Sequence, residues 1–195
     1  MFDRSRLVVE SRSPRELPRR LSWALKRAGV RPTRDVLVVS VAAQQMMVFR
    51  RASRASSPPL YLQTRRFRVS TSRKGAGQVE GSNQTPLGLH RIARKHGGGQ
   101  PIGTVFQSRQ PVGLLWEGRP GAAICHRILW LEGLEDGWNR GGNVDTFRRY
   151  IYIHGFGDES TIGRPASIGC IHVSASDLLP LFDRTPVGAV VWITP

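Results

Sequence analysis

Two short runs set the frame for this chain: Tyr150-Ile151-Tyr152-Ile153-His154-Gly155 and Ser167-Ile168-Gly169-Cys170-Ile171-His172-Val173. Each carries an alternating or apolar segment that reads as a strand end, and the residues between them include Gly157, Gly163 and Pro165, the composition of a loop. His154 and Cys170 lie sixteen positions apart at the two ends of that loop. A loop of this size returns to its starting place and brings an imidazole alongside a thiol. A thiol is nucleophilic only as thiolate, so a cysteine that does covalent work needs a base or a positive charge beside it. His154 is the candidate base and Cys170 the candidate nucleophile.

Outward from this frame, residues 36–41, 46–50, 60–63, 67–72, 89–93, 128–131, 150–154 and 187–193 read as strands separated by Gly, Pro and Ser clusters. The chain is therefore expected to be mainly β, with a short helix over residues 175–182. Residues 97–121 contain Gly97-Gly98-Gly99 and Gly103, which weaken any regular element there and make this span the candidate cap over the site. Near the start, Ser13-Pro14-Arg15-Glu16 has the form of a capping box. Leu17, Leu21, Ala24, Leu25 and Ala28 follow at helical spacing, with Gly29 as the stop. Pro18 is tolerated only in a first turn, which moves the helix start a few residues on. The polar face of this helix, with Arg15, Arg19, Arg20, Lys26 and Arg27, reads as the solvated face of an accessory element, the alternative being contact with an anionic surface.

A chain of 195 residues with 39% hydrophobic content can build one domain with a substantial core. Its 29 basic and 14 acidic residues give a net charge of +15, and Lys26, Lys74 and Lys95 are its only lysines, so the excess is arginine. An acidic polymer is the natural partner, but charge alone does not choose between nucleic acid, anionic lipid and wall polymers. Cys125 and Cys170 are too few for a disulfide framework, and a bridge between them would abolish nucleophilicity. Cys125, in Ala122-Ala123-Ile124-Cys125-His126, reads as a buried small hydrophobe. No zinc spacing or Cys-x-x-Cys occurs, so no metal and no cofactor is expected. No segment approaches the roughly 20 apolar residues of a membrane span. Read from Met1, no export leader is visible, and Lys26 and Arg27 interrupt the apolar run behind Arg19-Arg20.

Tyr150 to Gly155, Ile162-Gly163-Arg164-Pro165 and Ser167 to Ile171 together resemble the signature of the L,D-transpeptidase catalytic domains (YkuD-like). That signature is an Ile-His-Gly followed by Ser/Thr-His-Gly-Cys and then usually an arginine. Ile168 replaces its second histidine and His172 its usual arginine. Residues 38–49 with Gln44 and Gln45, Val69-Ser70-Thr71-Ser72, Gly75, Gly77, Thr85-Pro86-Leu87-Gly88 and residues 178–193 also look like the family, so the resemblance covers about residues 35–193. It divides the chain into a basic N-terminal helical extension, residues 1–34, and a catalytic domain, residues 35–195.

The resemblance implies a β-sandwich-like fold and a peptidoglycan L,D-transpeptidase, an acyltransferase of the cysteine type serving wall biosynthesis and cell shape. Cys170 would attack a carbonyl carbon of a peptide stem, after the L-centre of its third residue, releasing the terminal D-alanine and leaving a thioester. The backbone carbonyl of Gly155 would hold the other ring nitrogen of His154, and the amides of Gly169 and Cys170 would face the developing oxyanion. The partners implied are peptidoglycan peptide stems, as donor and as amine acceptor, in the cell envelope or periplasm. Water as acceptor would make the enzyme an L,D-carboxypeptidase. A third reading is a basic wall-binding or nucleic-acid-binding protein with a dead frame. Trp130, Trp138, Phe147 and Tyr150 do lie near Arg140, Arg148 and Arg149, but aromatics in a β domain belong to its core and no nucleic-acid motif accompanies them, so no nucleic acid is expected.

Ser167 has two readings, a hydrogen-bond donor near the nucleophile or a residue satisfying its own turn. So does His172, which offers less fixed charge than arginine for a substrate carboxylate: a substrate contact, or a hydrogen-bonded strand residue. Arg164 and Arg149 are the candidates to compensate.

Overall fold

Along the first predicted strand, Val36 and Val38 face one way and Leu37 and Val39 the other, and all four are buried. A strand apolar on both faces must be covered on both, and this one lies inside the sheet with a hydrophobic layer on each side. The computed structural model describes Pro14, residues 16–53, Ala55 and residues 57–195. Among the described residues, ten strands form one mixed sheet. They are β1 (Asp35–Ser40), β2 (Gln45–Arg51), β3 (Tyr61–Arg68), β4 (Gly88–His96), β5 (Thr104–Gln107), β6 (Gln110–Leu114), β7 (Cys125–Gly133), β8 (Tyr152–Gly155), β9 (Ile171–His172) and β10 (Val190–Thr194). The order is β3-β2-β1-β10-β4-β7-β5-β6, with β8 paired to β7 and to β9. Strands β1 and β10 are parallel, as are β8 and β9.

At about 4.8 Å per strand, a flat sheet would hold β3 and β9 on the order of 30 Å apart. Instead the residues just beyond β3 pair with β9: Ser70 N–H donates to the His172 carbonyl at 3.0 Å, and His172 N–H donates to the Ser70 carbonyl at 2.8 Å. The sheet curls until its two ends meet, and they meet beside Cys170. The main core fills the curl. Leu37, Val39 and Met46 from one end pack in the same cluster as Leu129, Ile153 and Ile171 from the other, sealed by Leu178, Leu181 and Phe182 of α2 (Ala175–Arg184).

The opposite face of β1 is covered by α1 (Arg19–Arg27). Its Leu21 and Leu25 are buried against Val36, Val38, Phe49, Leu89 and Val190, a burial that stabilises by about 2 kcal/mol for each leucine. Pro18, with ψ of 133°, is extended, so the helix begins at Arg19 rather than at the capping box, of which Ser13 and Arg15 lie outside the described residues. The helix stops at Gly29 as expected. Val30 N–H bonds the Leu25 carbonyl and Gly29 N–H the Lys26 carbonyl, with Gly29 at φ +64°, the two bonds of a Schellman ending.

Three strand expectations change. β3 runs unbroken from Tyr61 to Arg68, joining the run 60–63 to the start of the run 67–72, with a register shift at Val48/Phe49 on its partner β2, while Ser70 and Ser72 form only isolated bridges. Within residues 97–121 lies a regular hairpin, β5–β6, whose turn residues Ser108 and Arg109 both have positive φ. Tyr150 is not in a strand. It sits in the left-handed region at φ 55°, donates its N–H to the Phe147 carbonyl, and leaves β8 to begin at Tyr152.

Candidate active site

The parallel pairing of β8 with β9 places Ile153 opposite Ile171 and His154 opposite His172. Side chains alternate along a strand. Ile153 and Ile171 therefore point into the main core, while Tyr152 and His154 share the other face of the sheet with His172 of β9 and with Cys170, the residue just before that strand. Cys170 stands directly across from Tyr152 and diagonally from His154.

The thiol is held by backbone groups. Tyr152 N–H donates to Cys170 Sγ at 3.4 Å, and Sγ approaches the Tyr150 carbonyl at 3.5 Å, the carbonyl aimed by the left-handed Tyr150. Cys170 keeps part of its surface open. Burial pushes its thiol up to about 11, against the opposing pull of the Tyr152 N–H and of the Arg149 guanidinium.

His154 is 2% exposed, and burial lowers its imidazole to about 4. Its Nδ1 lies 2.8 Å from the Gly155 carbonyl oxygen. A carbonyl only accepts, so Nδ1 carries the proton and Nε2 is the bare, basic nitrogen. The resting pair is neutral thiol and neutral imidazole.

Packed against Gly155 is a residue the sequence reading did not single out, His126. A Cβ on Gly155 would fall on Cδ2 of His126 and lie 2.7 Å from the Cys125 carbonyl oxygen, so only glycine fits. His126 is buried at φ +67°, and its Nδ1 accepts the Gly103 N–H at 2.9 Å, which puts the ring proton on Nε2. That Nε2 lies 3.9 Å from Glu159 Oε1, and the same oxygen accepts the Ala175 N–H at the start of α2 at 2.6 Å. Burial lowers the His126 pKa despite Glu159, so the contact is polar rather than an ion pair. Nothing local in Cys125-His126 announces this role; it follows from the pairing of Cys125 with Gly155, a contact between distant parts of the chain.

In the nucleophile loop, Ser167 Oγ donates to the Cys170 carbonyl at 2.6 Å and accepts the Gly169 N–H at 3.2 Å. Ser167 thus braces its own turn, and the Gly169 amide, expected to face an oxyanion, is engaged within the loop. Gly169 has φ +130°, and a Cβ there would crowd Ile151 Cδ1 at 3.3 Å. Its carbonyl accepts from Thr85 Oγ1 at 3.0 Å, and Thr85 Oγ1 accepts the Ser72 N–H at 3.0 Å. These bonds tie the loop to the two segments upstream.

The two unusual motif positions have different environments. Ile168 is 63% exposed. His172 is buried, its ring edge-on to His154 at 4.8 Å between centroids and stacked on Phe156 at 4.6 Å. Burial, with His154 beside it, lowers His172 to about 3, and its Nδ1 is buried without a hydrogen-bond partner. It therefore carries no fixed charge. Arg149 donates to the carbonyls of Gly77, Gln78 and Gln84, at 2.7 Å for the last two, and so anchors that loop while its charge reaches Cys170. Arg164 is exposed. Cys125 is fully buried, both cysteines are free, and burial with Glu159 nearby pushes the Cys125 thiol up to about 12. Among the described residues no three His, Cys, Asp or Glu side chains come together as a metal cage, and no helix is long and apolar enough to cross a membrane.

The family model of YkuD, the L,D-transpeptidase catalytic domain, matches residues 34–193. No curated protein matches the chain. Among solved structures, the Bdellovibrio bacteriovorus protein Bd1075 superposes with a TM-score of 0.50 at 14% identity, covering 83% of this chain and 48% of that one, a likeness of fold. An L,D-transpeptidase from Mycobacterium smegmatis gives 0.48 at 17% identity, over 83% of this chain and 59% of that one. L,D-transpeptidase 3 from Mycobacterium tuberculosis gives 0.49 at 12% identity, over 83% and 61%. The chain thus spans about half to three-fifths of the length of these structures.

Proposed function

Because the chain belongs to the L,D-transpeptidase catalytic domain family, we propose that it is a cysteine-type acyltransferase acting on peptidoglycan peptide stems in the cell envelope. In this reading, residues 35–195 form the catalytic unit and residues 1–34 a basic extension to it. The observation that carries the proposal is the tautomer of His154: with Nδ1 held by the Gly155 carbonyl, Nε2 is left as the base, and Cys170 immediately precedes the strand that pairs with β8.

The chemistry begins from the neutral pair. With a thiol near 11, only about one molecule in ten thousand holds a thiolate at pH 7, so proton transfer must accompany attack. As Sγ closes on the carbonyl carbon after the third stem residue, Nε2 of His154 takes the thiol proton. The charge developing on the carbonyl oxygen falls near the nucleophile loop, where the Cys170 amide is the proposed donor, worth about 3 kcal/mol. Collapse of the tetrahedral intermediate expels the terminal D-alanine, whose amine takes the proton from His154, and a thioester remains. An acceptor amine, deprotonated by Nε2, attacks the thioester, reforming a peptide bond and returning the proton to Cys170. The partial exposure of Cys170 keeps water as a second acceptor, which would give an L,D-carboxypeptidase.

Mass spectrometry of products formed from disaccharide-tetrapeptide, beside Cys170→Ala, tests the reading. A cross-linked dimer lacking one terminal D-alanine identifies a transpeptidase, and tripeptide alone a hydrolase. Substrate left untouched under conditions where a related enzyme works would refute both.

A further inference from the structure

The proposed acyl transfer leaves unused one cation on the aromatic cluster that borders Cys170. Arg109 sits in the turn of the β5–β6 hairpin, between the paired residues Gln107 and Gln110, where Ser108 and Arg109 have φ of 48° and 68°. From there its guanidinium lies 4.9 Å from the ring centroid of Trp130 and 5.4 Å from that of Tyr150, and Nη1 donates to the Tyr152 hydroxyl at 3.3 Å. Each of these aromatic residues borders the nucleophile. Tyr152 gives its N–H to Cys170 Sγ, the Tyr150 carbonyl faces the thiol, and Trp130 and Tyr152 belong to the cluster on which Cys170 packs. One tyrosine side chain separates the guanidinium from the backbone that holds the sulfur.

Arg109 also lacks a counter-charge. The ion pairs of arginine among the described residues join Arg50 to Asp35, Arg65 to Asp177, Arg91 to Glu132 and Arg140 to Asp136. Arg94, likewise without an ion pair among the described residues, also approaches Trp130, at 5.7 Å, and the Phe147 ring stacked on it, at 5.4 Å. Two guanidinium groups on one aromatic stack, with no carboxylate between them, make a local field that favours an anion. Stacking uses the flat face of a guanidinium, and the Tyr152 hydroxyl uses one of its five N–H donors, so the rest of the planar fork stays free. Neither His172, buried and uncharged, nor Arg149, committed to loop carbonyls, supplies that function.

We propose that Arg109, with Arg94 behind it, binds the terminal carboxylate of the donor stem. This rests on the acyl-transfer reading above. When the scissile carbonyl lies at Cys170, the terminal carboxylate is one residue further along the stem, about 3.5 Å of extended chain. The Trp130 and Tyr150 rings then form the floor beneath the departing residue, and the hairpin acts as a specificity element rather than a passive cover.

The test compares disaccharide-tetrapeptide with a terminal acid against the same compound with a terminal amide, using the parent protein, Arg109→Gln and Arg109→Lys. The parent should prefer the acid. Arg109→Gln should raise KM for the acid on the order of tenfold or more and that for the amide far less, with Arg109→Lys in between. An equal loss on both compounds, or a preference that follows a side-chain carboxylate of the third residue, overturns the proposal. Binding of both compounds to Cys170→Ala, with and without Arg109→Gln and read by ligand NMR, separates this from failure of the chemistry. If the parent proves inactive but Cys170→Ala still prefers the acid through Arg109, the acyl-transfer reading fails and the carboxylate site stands. Absence of any acid preference removes the site.

Discussion

The chain contains two cysteine–histidine neighbourhoods, a short distance apart in the fold, and the contrast between them shows what sets the pair proposed to react apart from the other. Cys125 and His126 lie at the start of β7; Cys170 and His154 lie across β8 and β9. Both thiols are pushed up by burial, to about 12 and about 11, so thiol pKa alone does not tell them apart. Access and tautomer do. Cys125 is sealed and meets the charge of Glu159, whereas Cys170 is partly open and faces an amide N–H and the field of Arg149. His126 has Nδ1 occupied by the Gly103 N–H, while His154 has Nδ1 fixed as a donor and Nε2 bare. The two regions are also coupled, since His126 packs where a side chain on Gly155 would go.

The sharpest way to break this comparison is to remove each thiol. Cys170→Ala should abolish both dimer and tripeptide formation, while Cys125→Ala keeps turnover and loses about 1 kcal/mol of stability from a small cavity, read by product analysis and denaturant titration. Equal losses of activity would erase the distinction. Next, His154→Ala should slow acylation by about 10²–10⁴-fold with an unchanged circular dichroism spectrum, and an undiminished single-turnover rate would remove His154 from the chemistry. A smaller effect is expected at His126. His126→Ala frees the Gly155 carbonyl to shift and should lower kcat on the order of tenfold, with the acid limb of its pH profile displaced, because His154 would be held less rigidly and solvated more. A profile that coincides with the parent's would show His126 to be packing only.

A separate prediction concerns stability against pH. All five histidines of the chain have pKa values lowered by burial, His90 and His154 to about 4 and His172 to about 3. The unfolded chain, with histidines near 6.5, therefore binds more protons than the folded one between about pH 4 and 6.5. Stability is fully present above that window and falls as pH drops through it, by about 1.4 kcal/mol per pH unit for each of His90, His154 and His172 while it stays neutral in the fold. Urea unfolding at pH 7 and pH 5 measures the slope; a stability that does not change between them would mean the imidazoles are not excluded from water.

Much of the architecture was legible because apolar alternation is local. The both-sided burial of β1, the helix before the last strand and the stop at Gly29 can be read from neighbouring residues. The β5–β6 hairpin escaped because its turn uses Ser108 and Arg109 in place of the Gly or Asn that usually marks positive φ, inside a span whose glycines suggested irregularity. Tyr150 escaped for a similar reason, as an aromatic in an alternating run reads as strand while tertiary contacts bend it away. At the site, His154 and Cys170 stand at the ends of one loop and are visible from spacing. The bracing of Ser167 with Gly169, the packing of His126 on Gly155 and the meeting of Ser70 with His172 depend on curling the sheet onto itself, which no short window of sequence records.

The most direct test is to find where the acyl group rests. The parent protein is mixed with disaccharide-tetrapeptide, quenched in acid within the first turnover, digested, and mapped by mass spectrometry. The account predicts a tripeptide-stem adduct, lacking the terminal D-alanine, on the peptide containing Cys170 and none on that containing Cys125. An adduct on Cys125, or products accumulating with Cys170 never acylated, would contradict it.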